Sequence, residues 1–130
     1  MIRVIVAGGR DFDDYNLLEK KVKEIIFKLV CDSRAATGAI EFISGTARGA
    51  DRLGEKFATE ERFVIKRFPA DWNTYGKRAG YLRNEQMAKY AVEDSNYGVL
   101  IAFWDGESRG TKHMIDLANK HGLEVHIINY

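Results

Sequence analysis

Apolar residues along this chain fall into two rhythms. Five short runs have the length and the β-branched or aromatic content of strands. They are Ile2-Arg3-Val4-Ile5-Val6-Ala7, Ile40-Glu41-Phe42-Ile43, Phe63-Val64-Ile65-Lys66-Arg67-Phe68, Val99-Leu100-Ile101-Ala102-Phe103 and Glu124-Val125-His126-Ile127-Ile128. Between them, apolar positions recur every three or four residues, the spacing of one helix face. Leu18, Val22, Ile25 and Leu29 form the first such stripe, with Asp13 or Asp14 placed to cap it. A second helix is expected over about 48–60, with Leu53 and Phe57 inward, and a third from about Gly80, with Met87, Tyr90 and Ala91. A fourth follows the loop at 105–110 and stops at Lys120-His121-Gly122. Gly38 marks the loop before the second strand, Pro69 ends the third strand, and the stretch from Ala70 to about Gly80 reads as loop.

Strand and helix alternate with short connections, which predicts an α/β fold with right-handed crossovers and helices on both sheet faces. The expected architecture is a three-layer Rossmann-like sandwich around a central, mainly parallel five-stranded sheet in the order 3-2-1-4-5. The unbroken run at 99–103 fits a central strand covered on both sides. No repeat, linker or low-complexity tract interrupts the pattern, so residues 1–130 are expected to form a single domain.

In open parallel sheets, ligands lie beyond the carboxyl ends of the strands. Three turns at such ends are rich in small residues: Gly8-Gly9-Arg10-Asp11, Ser44-Gly45-Thr46-Ala47-Arg48-Gly49-Ala50-Asp51, and Asp105-Gly106-Glu107-Ser108-Arg109-Gly110-Thr111. The second runs straight from strand to helix. Free amides and the helix dipole there favour an anion, and the small side chains leave the backbone open to a phosphate. Neither standard fingerprint is present: Gly45 and Gly49 do not make G-x-G-x-x-G, and Gly110-Thr111 lacks the lysine of a P-loop. These absences argue against a conventional dinucleotide dehydrogenase or a nucleoside triphosphatase.

Arg83 stands on one helix face with Met87 and Tyr90, in position to point toward the same edge. Its planar fork suits phosphate or ribose, and a buried salt bridge with Asp105 is the alternative. Arg10 and Arg48 either add charge there or are solvated surface arginines. Trp72 and Tyr75 either stack on a base or anchor their loop. His113, His121 and His126 have no ligand spacing and no cysteine beside them, so no metal site is expected.

The formal net charge of +1 lacks the basic excess of most nucleic-acid binders. The lone Cys31 cannot close an internal disulfide, which fits a reducing, cytoplasmic setting. Met1 leads directly into a strand rather than into a signal segment, and no run approaches membrane-spanning length.

Four segments in order along the chain carry a family resemblance: Gly8-Gly9-Arg10-Asp11-Phe12, Ser44 to Asp51, Ala79-Gly80-Tyr81-Leu82-Arg83-Asn84-Glu85-Gln86-Met87, and Ser108-Arg109-Gly110-Thr111. Together they resemble the YspA/YpsA-related branch of the SLOG superfamily, named for the SMF/DprA and LOG proteins. The resemblance implies a Rossmann-like fold and a nucleotide or nucleotide-derived ligand. It implies ligand contacts from Gly8, Gly9, Arg10, Ser44, Gly45, Thr46, Arg48, Gly49, Ala50, Asp51, Arg83, Asn84, Gly110 and Thr111.

Arg83-Asn84-x-x-Met87 is similar to the R-K-x-x-M of LOG phosphoribohydrolases, whose arginine is catalytic. Their glutamate after Gly-Thr has no counterpart here, because Lys112, His113 and Met114 follow Thr111. If the protein is an enzyme, Arg83 with Asp105 or Glu107 would cleave the N-glycosidic bond of a nucleotide, with Asp116 a further carboxylate at hand. The first reading is a nucleotide-binding sensor or a signalling or phage-conflict domain that uses no cofactor. A DprA-like single-stranded nucleic-acid binder is the third, resting on Arg62, Lys66, Arg67, Lys77, Arg78 and Arg83 with the two aromatics. The expected partner is a nucleotide-like small molecule rather than nucleic acid or membrane, with self-association across a helical face left open.

Overall fold

A computed structural model describes residues 1–33 and 39–130. The glycine expected to mark the loop before the second strand, Gly38, lies outside the described residues. Five strands, β1 (Ile2–Gly8), β2 (Ile40–Ser44), β3 (Val64–Arg67), β4 (Tyr97–Trp104) and β5 (Glu124–Asn129), form one sheet. All four pairings are parallel and the order is β3-β2-β1-β4-β5, as expected from the sequence.

Alternation along the two central strands fills two cores. Val4 and Val6 of β1, with Val99, Ile101 and Phe103 of β4, meet helices α1 (Tyr15–Ser33) and α2 (Ala50–Glu60). Ile5 and Ala7, with Leu100 and Ala102, meet α4 (Ala79–Val92) and α5 (Arg109–Lys120) on the other face. Burial of both faces explains why β4 reads as a continuous apolar run. Order reverses between β1 and β4, so a crevice is expected at their carboxyl ends.

Element ends follow local chemistry. Asp14, not Asp13, caps α1: its Oδ1 accepts the Leu17 amide at 3.0 Å. The buried stripe is Leu18, Val22, Ile26 and Leu29, while Ile25 is only partly buried. A helical period of 3.6 accommodates either isoleucine, and only packing chooses between them. Helix α2 begins at Ala50 rather than near 48, because Gly49 has φ 79°, outside helical space. Part of the loop expected from Ala70 to Gly80 is helical, as α3 (Trp72–Tyr75) and a 3₁₀ turn (Gly76–Arg78). Asp71 caps α3 by accepting the Thr74 amide at 3.1 Å. One turn is too short to leave a periodic signature. Among the described residues no helix is long and apolar enough to cross a membrane.

Candidate functional site

The three glycine-bearing turns meet. Gly8, Gly9, Arg10 and Asp11 after β1, Ala47, Arg48 and Asp51 after β2, and Asp105, Ser108, Gly110 and Thr111 after β4 line one cleft of about 560 Å³. Helix α4 closes its side with Arg83, Asn84 and Met87, and Met114 of α5 adds apolar floor. The cleft therefore lies where the strand order reverses.

Glycines in the first two turns serve the protein itself. A Cβ on Gly49 would run into the Gly9 carbonyl and come within 2.8 Å of the Arg10 backbone. One on Gly8 would meet the Phe103 carbonyl, and one on Gly45 would stand 2.7 Å from an Asp51 carboxylate oxygen. Close approach of turn to turn thus requires small residues here, whatever binds. Gly110 differs: no heavy atom lies within 4 Å of its Cβ position, and the residue borders the cleft.

Several amides of these turns already have acceptors. Gly9 N–H donates to Phe103 O, Ala50 N–H to Gly9 O, Thr46 N–H to Ser44 Oγ, and Ala47 N–H to Asp51 Oδ2. Those of Arg48 and Gly49 have no acceptor among the described residues, and both precede the first turn of α2. The anion-binding potential foreseen for the whole second turn is therefore concentrated at its last two residues. Ser44 faces away, donating its hydroxyl to Glu55 Oε2 at 2.6 Å, and Ala50 is packed without exposure. Gly45 and Thr46 line a neighbouring cleft instead.

Arg83 is held at two points. Nη1 donates to the Gly45 carbonyl at 2.5 Å and Nε to Asn84 Oδ1 at 3.1 Å, leaving Nη2 without a partner among the described residues. The salt bridge with Asp105 is not formed. Asp105 instead accepts the amides of Glu107 and Ser108 at 2.8 and 2.9 Å, which holds its carboxyl below the usual range. Buried Asn84 donates to Gly110 O at 3.3 Å and to His113 Nδ1 at 3.2 Å, tying α4 to the β4–α5 turn. Thr111 is buried at the α5 entrance, where its amide donates to Ser108 Oγ. Exposed Glu107 does not line the cleft.

Asp51 is the unusual group. Only 5 % exposed in the first turn of α2, it has its carboxyl pushed up to about 6 by burial, against the pull of Arg83 and the Ala47 amide. Nothing in the sequence distinguishes it from an ordinary acidic residue at a helix start, because the shift comes from packing. The family resemblance names Asp51 among the ligand contacts but not Arg52, which lines a second cleft beside the first. Its basic side chain in the first turn of α2, just beyond the carboxyl end of β2, was the available signal.

Of the basic run considered for strand binding, Arg67 is paired with Glu55 at 2.9 Å, whereas Lys77 and Arg83 line clefts. Trp72, 48 % exposed, borders the second cleft, and the Arg10 guanidinium lies 5.9 Å from its ring centre. Among the described residues no group of three or more His, Cys, Asp or Glu is placed to hold a metal.

Comparison with known proteins agrees with this architecture. The chain is 31 % identical over 132 residues to the Gene 61 protein of Mycobacterium phage D29, covering 96 % of this chain and 94 % of that one. No solved structure matches it. The sequence profile described as the YspA, cpYpsA-related SLOG family matches residues 2–75, and the chain belongs to that family.

Proposed function

We propose that the cleft at the carboxyl edge of the sheet binds a nucleotide or a nucleotide-derived phosphorylated ligand, and that the protein acts as a sensor or a signalling or conflict-system domain. SLOG membership suggests a nucleotide-related ligand at a coarse level. One observation carries the finer reading: Arg48, whose amide has no acceptor among the described residues, and Arg83, whose Nη2 has no partner among them, line the same open cleft. Donors of both kinds favour an anion, and a helix N-terminus adds to them. Buried Met87 and Met114 form the apolar floor beneath these groups. Calorimetric titration with nucleoside monophosphates, ADP-ribose and NAD tests this. Binding of at least one is expected; absence of heat across the set refutes it.

A second reading, N-glycosidic hydrolysis, is favoured by Asp51. Asp105 is ionised and occupied by turn amides, whereas Asp51 sits in the cleft with a carboxyl that carries its proton up to about pH 6. Such a group can give a proton to a departing base while water attacks the anomeric carbon. Free base released from a nucleoside monophosphate, and lost in Asp51→Asn, is the expected result on this reading. Binding without release leaves the sensor.

A further inference from the structure

A second cleft, of about 380 Å³, adjoins the first and shares Arg10, Ala47, Arg48 and Arg83 with it. Its walls carry four arginines, these three and Arg52, but no aspartate or glutamate. None of the four has a carboxylate within 4.0 Å among the described residues. Nearby acids are engaged elsewhere. Glu55 pairs with Arg67 and Ser44, and Asp51, whose charge acts on Arg83 and Arg10, lies in the first cleft.

Burial lowers the pKa of Arg83, Asp51 from the first cleft pulls it back up, and Arg10 lowers it further, as like charges gathered together do. Arginines on a protein surface are ordinarily interspersed with acids, so a cleft of this composition is matched to an anion. Trp72 forms part of the same wall, an exposed ring beside a cation. That pairing suits a nucleobase, which stacks on either partner.

We propose that the ligand carries two phosphate groups separated by a nucleoside: one in the first cleft at the Arg48 amide, the other in the arginine cleft, with a base against Trp72. The chemical class is a phosphorylated dinucleotide. This rests on the nucleotide reading given above and specifies its ligand.

The 5′-phosphorylated diadenylate pApA, ADP and AMP serve as probes in calorimetry on the full chain. ADP carries contiguous phosphates and controls for charge. Arg52 is exposed and borders only the second cleft, so Arg52→Ala leaves the fold and the first cleft intact. The expected result is pApA binding about tenfold or more tighter than ADP, with Arg52→Ala removing that advantage while AMP affinity stays within about twofold. Equal affinity for pApA and ADP, or an equal loss for all probes in Arg52→Ala, overturns the second subsite and leaves the nucleotide reading standing. Failure of AMP, ADP and pApA alike to bind overturns both. A longer oligoadenylate is expected to bind no tighter than pApA; affinity that keeps rising with length overturns the dinucleotide in favour of a strand.

Discussion

Asp51 shows how one side chain acquires chemistry from its surroundings. Its carboxyl titrates near 6 in the folded chain and near 3.8 when exposed, so between those values the folded state holds the proton more tightly. Stability therefore falls as pH rises from about 4 to about 6, and the lost contribution is on the order of 3 kcal/mol above that window. Asp51→Asn removes the buried charge at nearly constant volume. Denaturation at pH 8 should find this variant more stable than the parent by about 1–3 kcal/mol, with the difference vanishing near pH 4. A parallel pH profile for the two proteins refutes the burial argument. Keeping a carboxyl at this cost is the behaviour expected of a functional group. Arg83 permits a second test at this scale. Loss of its charged hydrogen bond to an anionic ligand in Arg83→Ala should weaken AMP binding by about 1.5–3 kcal/mol in calorimetry. Unchanged affinity removes Arg83 from the binding site.

Turns and helices decide which glycines answer to a ligand. Gly49 combines φ 79° with a Cβ position blocked by the Gly9 carbonyl, so the β1 and β2 turns pack backbone to backbone. Gly49→Val should cost at least about 2 kcal/mol of stability, and a thermal melt unchanged from the parent contradicts that packing. Gly110 has open space at its Cβ position and ordinary helical backbone. Gly110→Val should therefore melt within a few degrees of the parent while obstructing the cleft. Nucleotide affinity should fall in that variant, and full affinity places the ligand away from the β4–α5 turn. The sequence marks both positions as small residues near a strand end. Only the neighbouring element separates a packing glycine from a cleft glycine.

At the scale of the whole molecule, a net charge of +1 conceals an uneven field. Acidic residues are spread through helical ion pairs such as Glu19–Lys23, Lys56–Glu60 and Glu85–Lys89, while Arg10, Arg48, Arg52 and Arg83 stand together at one edge. Composition averages over this arrangement, which is why the charge balance alone argued against nucleic acid and gave no sign of a basic cleft. Exposed charges are screened as salt rises, so affinity for an anionic nucleotide should drop several-fold between about 0.05 and 0.5 M NaCl. Affinity independent of salt means that these arginines do not hold the ligand.

Strand and helix identity, the parallel order β3-β2-β1-β4-β5, the convergence of three turns on one edge and the family were all legible in the chain. These depend on hydrophobic periodicity, short connections and local motifs, quantities that neighbouring residues carry by themselves. Folding alone settled Asp14 over Asp13, Ile26 over Ile25, the short helix at Trp72–Tyr75, the partners of Arg83, the proton affinity of Asp51 and the grouping of Arg52 with Arg10. Each of these is set by which atoms from distant parts of the chain come within a few ångströms, and by how much water they exclude. Distance and dielectric exist only once the sheet has brought its loops together.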